Sequence, residues 1–170
     1  MDPKSVADSR SQLIRWMGIT DANSAGNVHG GTVMKLADEA AALAAVKHSH
    51  MRVVTVGMDR MNFLYPIYVG DLVTLSATVN AAWRTSIEVG VRVEAEDLRA
   101  GTVRHVSNAY LTMVALDAQG NPTPIPGVAP STPTEKRRMR EAELRRANRL
   151  AERAQILSGR EREQTQHRRA

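Results

Sequence analysis

The sequence predicts an α+β domain in which one antiparallel sheet packs on one helix. Three observations carry this. Ser86–Asp97 and Val73–Val79 alternate apolar and polar residues at the two-residue period of a half-buried strand. Gly31–Lys47 is one long stretch of high helix propensity, rich in alanine and free of proline. The strand-like segments after it are joined by connections too short for helical crossovers, which forces neighbouring strands to run mainly antiparallel.

Taken in order, the short apolar run Leu13–Met17 reads as a first strand. In the helix, at about 100° per residue, Val33, Leu36, Ala37, Ala40, Leu43 and Ala44 form a broad apolar arc, while Thr32, Lys35 and Glu39 form a narrow polar stripe. Asp38 belongs to neither, because its helical neighbours are Met34, Ala41, Ala42 and Ala45. A helix apolar on nearly every side is covered on nearly every side. The sheet supplies one cover, and a second subunit or a ligand is expected to supply the other. Val53–Met58 is the next strand, followed by Val73–Val79, which places Val73, Leu75, Ala77 and Val79 on one face. Ser86–Asp97 puts Ile87, Val89, Val91, Val93 and Ala95 inside and leaves Glu88, Arg92, Glu94 and Glu96 on a wet face. Val103–Leu116 is the last strand, with polar residues on both faces. Gly70-Asp71, Arg84-Thr85 and Arg99–Gly101 supply turns.

Five prolines and two glycines in Asp117–Pro133 forbid regular helix and mark a boundary. Beyond it Thr134–Gln155 reads as a helix with Leu144, Ala147, Leu150, Ala151 and Ala154 along one stripe. From Ser158 the chain is almost wholly polar and is expected to fray. The chain thus divides into a domain at 1–131, a basic helix at 132–157 and a disordered tail at 158–170.

With 170 residues, 42% apolar and 24% charged, the chain suits one globular domain. Zero cysteines exclude disulfides, thiolate catalysis and cysteine-ligated metal, and they suit a reducing, cytoplasmic compartment. No apolar run nears the roughly 18 residues of a membrane span, and MDPKSVADSRSQL lacks the apolar segment of an export signal. The net charge of +5 is unevenly placed: residues 1–131 carry 11 Lys+Arg against 12 Asp+Glu, and residues 132–170 carry 12 against 6. That basic tail interleaves carboxylates and has no aromatic residue to stack on a base, so nucleic acid is not expected as a partner. Instead, Leu144 and Leu150 are expected to pack on the assembly. His48, His50 and His105 lack the spacing of a zinc helix, and no metal is expected. There is no Gly-x-Ser-x-Gly elbow for a serine hydrolase. Met34, Met58, Met61 and Met113 read as core filler.

Chemistry concentrates in Asp21–Asp38, DANSAGNVHGGTVMKLAD. It combines a polar loop, a Gly-Gly entry to a helix and a carboxylate two turns in. The first N–H groups of a helix favour an oxygen gaining negative charge, and glycine allows close approach. An ionised carboxylate can take a proton from water or attack an acyl carbon. By spacing alone the segment also fits a tight loop and a helix start.

The run Asn23-Ser24-Ala25-Gly26-Asn27-Val28-His29-Gly30-Gly31, then Met34 and Asp38-Glu39, resembles the signature of the cytosolic acyl-coenzyme A thioesterases of the hot-dog fold. Val53-Val54-Thr55 with Asp59, Phe63, Pro66 and Gly70-Asp71 is similar to the segment that follows in that family, and Arg84-Thr85-Ser86-Ile87-Glu88-Val89 to the turn and strand beyond it. The resemblance implies one long central helix wrapped by an antiparallel sheet, and hydrolysis of fatty acyl-CoA at a site between two subunits of a homo-oligomer, a dimer or a hexamer of three dimers. It implies that Asn23 orients the thioester or water, that Asp38 is general base or nucleophile, and that Gly30 and Gly31 offer N–H groups to the carbonyl. His29 would be a loop contact beside the substrate, and Arg84, Thr85 and Ser86 would lie near coenzyme A, which enters as substrate; no cofactor is implied. A non-catalytic domain that binds acyl-CoA as sensor or scaffold stays open, since a fold does not fix a function.

Overall fold

The computed structural model describes residues 1–167. The chain runs as β1 (Lys4–Ser5), a 3-10 turn at Val6–Ser9, β2 (Ser11–Trp16), a 3-10 turn at Ile19–Asp21, α1 (Gly30–Ser49), β3 (Arg52–Met58), β4 (Leu72–Ala82), β5 (Ser86–Asp97), β6 (Thr102–Leu116), β7 (Val128–Ala129) and α2 (Pro133–His167). Five strands form one antiparallel sheet in the order β2-β4-β5-β6-β3, so β2 and β3 are its edges. The expected strands and the central helix are all present.

Helix α1 crosses one face of this sheet. Ala37, Ala40, Ala41 and Ala44 are fully buried, and their small side chains let the helix settle against Leu75, Ile87, Val89, Leu111 and Met113. The buried arc is rotated from the expected one. Ala41 and Ala45 face the core, whereas Leu43, expected inside, is 48% exposed. The helix closes at His50, whose φ of 54° is left-handed and whose N–H reaches Val46 O.

Strand β3 contains a bulge. Thr55 pairs with Met113 and Gly57 with Thr112, so Val56 is the extra residue. Val53 and Met58 both pack on the core although they lie an odd number of positions apart, which in a regular strand would put them on opposite faces. The bulge reconciles them.

A second, two-stranded sheet pairs β1 with β7 in parallel, which the sequence pattern did not show. It lies over the end of α1: Lys4 Nζ donates to His48 O at 2.7 Å, and His48 Nε2 lies 2.9 Å from Pro126 O.

Helix α2 continues past Leu157 as far as His167; residues 168–170 of the expected disordered tail lie outside the described residues. Its start is a capping box. Thr132 Oγ1 accepts from Glu135 N, and Glu135 Oε2 accepts from the backbone of Ser131 and Thr132. The helix then lies on the sheet face opposite α1, and it docks with its arginines. Glu88, expected on a wet face, is completely buried beneath Arg145 and Arg149. Arg145 also stacks on Tyr110 and Arg146 on Trp83. Leu144 and Leu150, expected to pack on the assembly, are left uncovered by their own chain. They are 62% and 54% exposed, because the polar outer sheet face selects the arginine side of the helix. Among the described residues no helix is long and apolar enough to cross a membrane.

Candidate active site

The loop before α1 is fixed by short bonds. Asp21, buried, accepts from Arg15 and from Gly18 N, and its own carbonyl accepts from His29 N. Asn23 N donates to Asn27 O at 2.7 Å, and Gly26 turns the chain with φ +82°. The Asn23 side-chain oxygen accepts from Ala25 N at 2.9 Å and Asn27 N at 3.2 Å. With that oxygen engaged twice, the group Asn23 has left for another molecule is its NH2, a donor.

His29 is the N-cap of α1. Its Nδ1 accepts from Gly31 N at 3.0 Å. This corrects the expectation that Gly30 and Gly31 offer their N–H groups together: the Gly31 donor is taken by the cap, and Gly30 N–H is the one of the pair that no cap claims. Glycine at 31 serves His29, since a Cβ there would lie 3.1 Å from the imidazole nitrogen. The Nδ1 of His29 is thus engaged in capping the helix.

Asn23 and Gly30 line a cleft of about 300 Å³ together with Val33 and the wall Phe63, Leu64, Tyr65 and Pro66. Asp38 does not line it. Two turns along the helix and half-buried, Asp38 faces β3, where Thr55 Oγ1 donates to its Oδ1 at 2.5 Å. Thr55 is the functional candidate that sequence reasoning passed over. Its signal was a hydroxyl on the helix-facing side of an otherwise valine-rich edge strand.

The Arg84-Thr85-Ser86 turn belongs with Asp38 and Thr55, not with Asn23. Ser86 pairs with Val114 and Val114 with Val54, so the turn lies two strands, about 10 Å, from the Thr55 end of β3. The Asn23 loop adjoins the other end of β4, where Met17 N bonds Asp71 O. Backbone bonds from Ile125 and Ala115 hold Arg84 and Thr85, Arg146 donates to Ser86 Oγ at 3.2 Å, and the Arg84 side chain is exposed. One chain thus carries two separated half-sites: a donor cleft with Asn23 and Gly30, and a carboxylate with a cationic turn. Each lacks what the other has. His48, the one buried histidine of the three considered for metal, bonds to backbone, and no group among the described residues could hold a metal ion.

The fold is the hot-dog thioesterase fold, and the chain belongs to the thioesterase superfamily. The model of that superfamily matches residues 25–102. The chain is 37% identical over 134 residues to protein VdlD of Helicobacter pylori, covering 78% of this chain and 76% of that protein. It is 34% identical over 146 residues to the cytosolic acyl coenzyme A thioester hydrolase of Rattus norvegicus, covering 85% of this chain and 38% of that longer protein. Among solved structures, an apo-hexameric acyl-CoA thioesterase superposes with a TM-score of 0.87 at 38% identity, covering 91% of this chain and 99% of that one. An aspartate-to-alanine variant of the acyl-CoA hydrolase of Staphylococcus aureus gives 0.86 at 34% identity, covering 95% and 99%. The same hydrolase was solved with butyryl coenzyme A and coenzyme A, and as asparagine-to-alanine and threonine-to-alanine variants.

Proposed function

We propose that this chain is an acyl-CoA thioesterase, and that its site forms where the Asn23 half of one copy meets the Asp38 half of another. The observation that carries this is the division of the site within one chain. A donor cleft without a carboxylate and a carboxylate without a donor cleft make sense as complementary faces of one assembly. The three residues varied in the Staphylococcus hydrolase are an asparagine, an aspartate and a threonine spaced along its chain as Asn23, Asp38 and Thr55 are spaced here, which supports the assignment.

In this reading the thioester carbonyl oxygen lies against the Asn23 NH2 and the Gly30 N–H at the positive end of α1, where charge developing on that oxygen is stabilised. Asp38, oriented by Thr55, takes a proton from water as the water oxygen attacks the acyl carbon, or attacks that carbon itself and is released by water afterwards. In either route the C–S bond breaks and the departing thiolate of coenzyme A recovers a proton. Water supplies the oxygen that replaces sulfur, directly in the first route and directly or by exchange through the Asp38 carboxylate in the second. Arg84 offers a cation to the phosphates of coenzyme A. The Phe63–Tyr65 wall offers apolar surface to the acyl chain. The assembly is a homo-oligomer, with a hexamer supported by the likeness to a hexameric thioesterase. A cytoplasmic setting is supported by the absence of cysteine and by the likeness to a hydrolase named as cytosolic.

Subunit complementation tests this directly. Asn23→Ala and Asp38→Ala should each abolish thiol release from short, medium and long acyl-CoA. Mixed and allowed to exchange, the two inactive variants should regain about a quarter of wild-type activity, because half of random dimers are mixed and each mixed dimer holds one intact site. No recovery on proven exchange removes the shared site, and full activity of Asp38→Ala removes the assignment. Tight acyl-CoA binding by the wild type without thiol release returns the chain to a binding role.

A further inference from the structure

We propose that Arg149, on α2, is a positioning residue for Asp38 and acts through Asp59 and the bulged strand β3; the proposal rests on Asp38 being the reactive carboxylate. Arg149 Nη1 donates to Asp59 Oδ2 at 2.7 Å, from an element 90 residues further along the chain and on the opposite side of the sheet from α1. Asp59 directly follows β3, and its N–H continues the ladder to Tyr110 O at 2.9 Å. The arginine therefore ties down the end of the strand that carries Thr55.

Strand β3 needs such a tie. It is an edge strand, paired only with β6, and the ladder is interrupted at Val56, immediately beyond Thr55. Thr55 must face α1 to reach Asp38, and Met58 must face α1 to stay packed on the core. Both conditions hold only while the extra residue stays between Thr55 and Met58. If the segment beyond the bulge slips by one position, either Met58 leaves the core or the Thr55 hydroxyl turns away from Asp38. Pinning Asp59 fixes the far side of the bulge, and Met113, opposite Thr55, fixes the near side. Arg149 also lies 3.5 Å from Glu88, but its shorter bond is to Asp59.

The experiment measures kcat and KM separately by thiol release for Arg149→Ala, Arg149→Lys, Asp59→Asn, the double variant Arg149→Ala/Asp59→Asn, and Arg145→Ala. Asp59→Asn keeps the shape and removes only this ion pair. Arg149→Ala and Asp59→Asn should each lower kcat about tenfold with KM within about twofold, as expected of a misaimed group and not of lost substrate contacts. The double variant should be no worse than either single one, and Arg149→Lys should recover most of the loss. Arg145→Ala, which loosens α2 over Glu88 without touching Asp59, should lower the melting temperature and keep kcat. An unchanged kcat in Asp59→Asn overturns the proposal, as does an equal loss in Arg145→Ala, which would make any loosening of α2 sufficient. Retained turnover in Asp38→Ala is a different failure, since it removes the underlying reading whatever Arg149 does.

Discussion

Thr55 reaches across from the edge strand to Asp38 on the central helix, its hydroxyl 2.5 Å from the carboxylate oxygen. A hydrogen bond to a charged acceptor is worth about 1.5–3 kcal/mol, and here it selects one orientation of the acid. Thr55→Val keeps the β-branched shape and removes the donor. It should lower kcat by at least about tenfold while leaving the unfolding midpoint nearly unchanged, because the side chain is exposed in the single chain. Saturating thiol-release assays beside thermal unfolding separate the two effects.

His29 caps the helix through Gly31 N. His29→Ala should cost about 1 kcal/mol of unfolding free energy in urea, the usual value of a lost N-cap. Asparagine caps as well as histidine, so His29→Asn should retain both stability and turnover. Loss of turnover with stability kept would give His29 a contact with substrate.

The backbone N–H groups of Ser131 and Thr132 hold the Glu135 carboxyl at a pKa of about 2, against an ordinary value of 4.5. A carboxylate with a depressed folded pKa contributes stability that is fully present above about pH 4.5 and is lost as pH falls through about 2. The stability gap between wild type and Glu135→Gln should therefore be constant at neutral pH and close across that acid window, as read from urea midpoints.

Burial pushes the His48 imidazole below its ordinary pKa of 6.5, with the Pro126 carbonyl acting in the opposite direction. Its unfolded form binds a proton more readily than its folded form, so stability should decline as pH falls below 6.5. Replacing His48 by Gln should flatten that part of the melting-temperature profile. A slope identical to wild type would assign the decline to other groups.

Glu88 has no exposed surface and is held by Arg145, Arg149 and Asn80. Removing one side of a buried pair costs about 3–5 kcal/mol when the remaining charge stays buried. The two guanidinium groups keep some access to water, so Glu88→Ala should lie near the lower end, about 3 kcal/mol, in chemical denaturation.

The elements that could be read from sequence are those whose pattern is set by the core. The alternation of Ile87, Val89, Val91 and Val93 and the alanine-rich helix both mark contact with one apolar interior. Asn23, Asp38 and the glycines were visible because an ordered motif surrounds them. What escaped was set by partners distant in sequence. Glu88 sits in a perfect wet-face position, and only α2 makes it buried. The Gly31 donor looked free until His29 folded back onto it. The β1–β7 pair is two residues long on each side, too short to carry any period. Which side of α2 packs on its own chain is chosen by the surface beneath it, the arginine side and not the leucine stripe.

That choice has a thermodynamic signature. Within the single chain, α2 lays guanidinium groups on a carboxylate and two aromatic faces and, of its own apolar side chains, buries only the small Ala142 beside them, so its opening exposes less apolar surface than melting of the core does. Heat capacity of unfolding follows apolar exposure. Release of α2 should thus give a smaller heat-capacity step than the core and respond to ionic strength through its water-exposed charges. Melting of the alanine-and-valine core beneath should carry most of the curvature in stability with temperature.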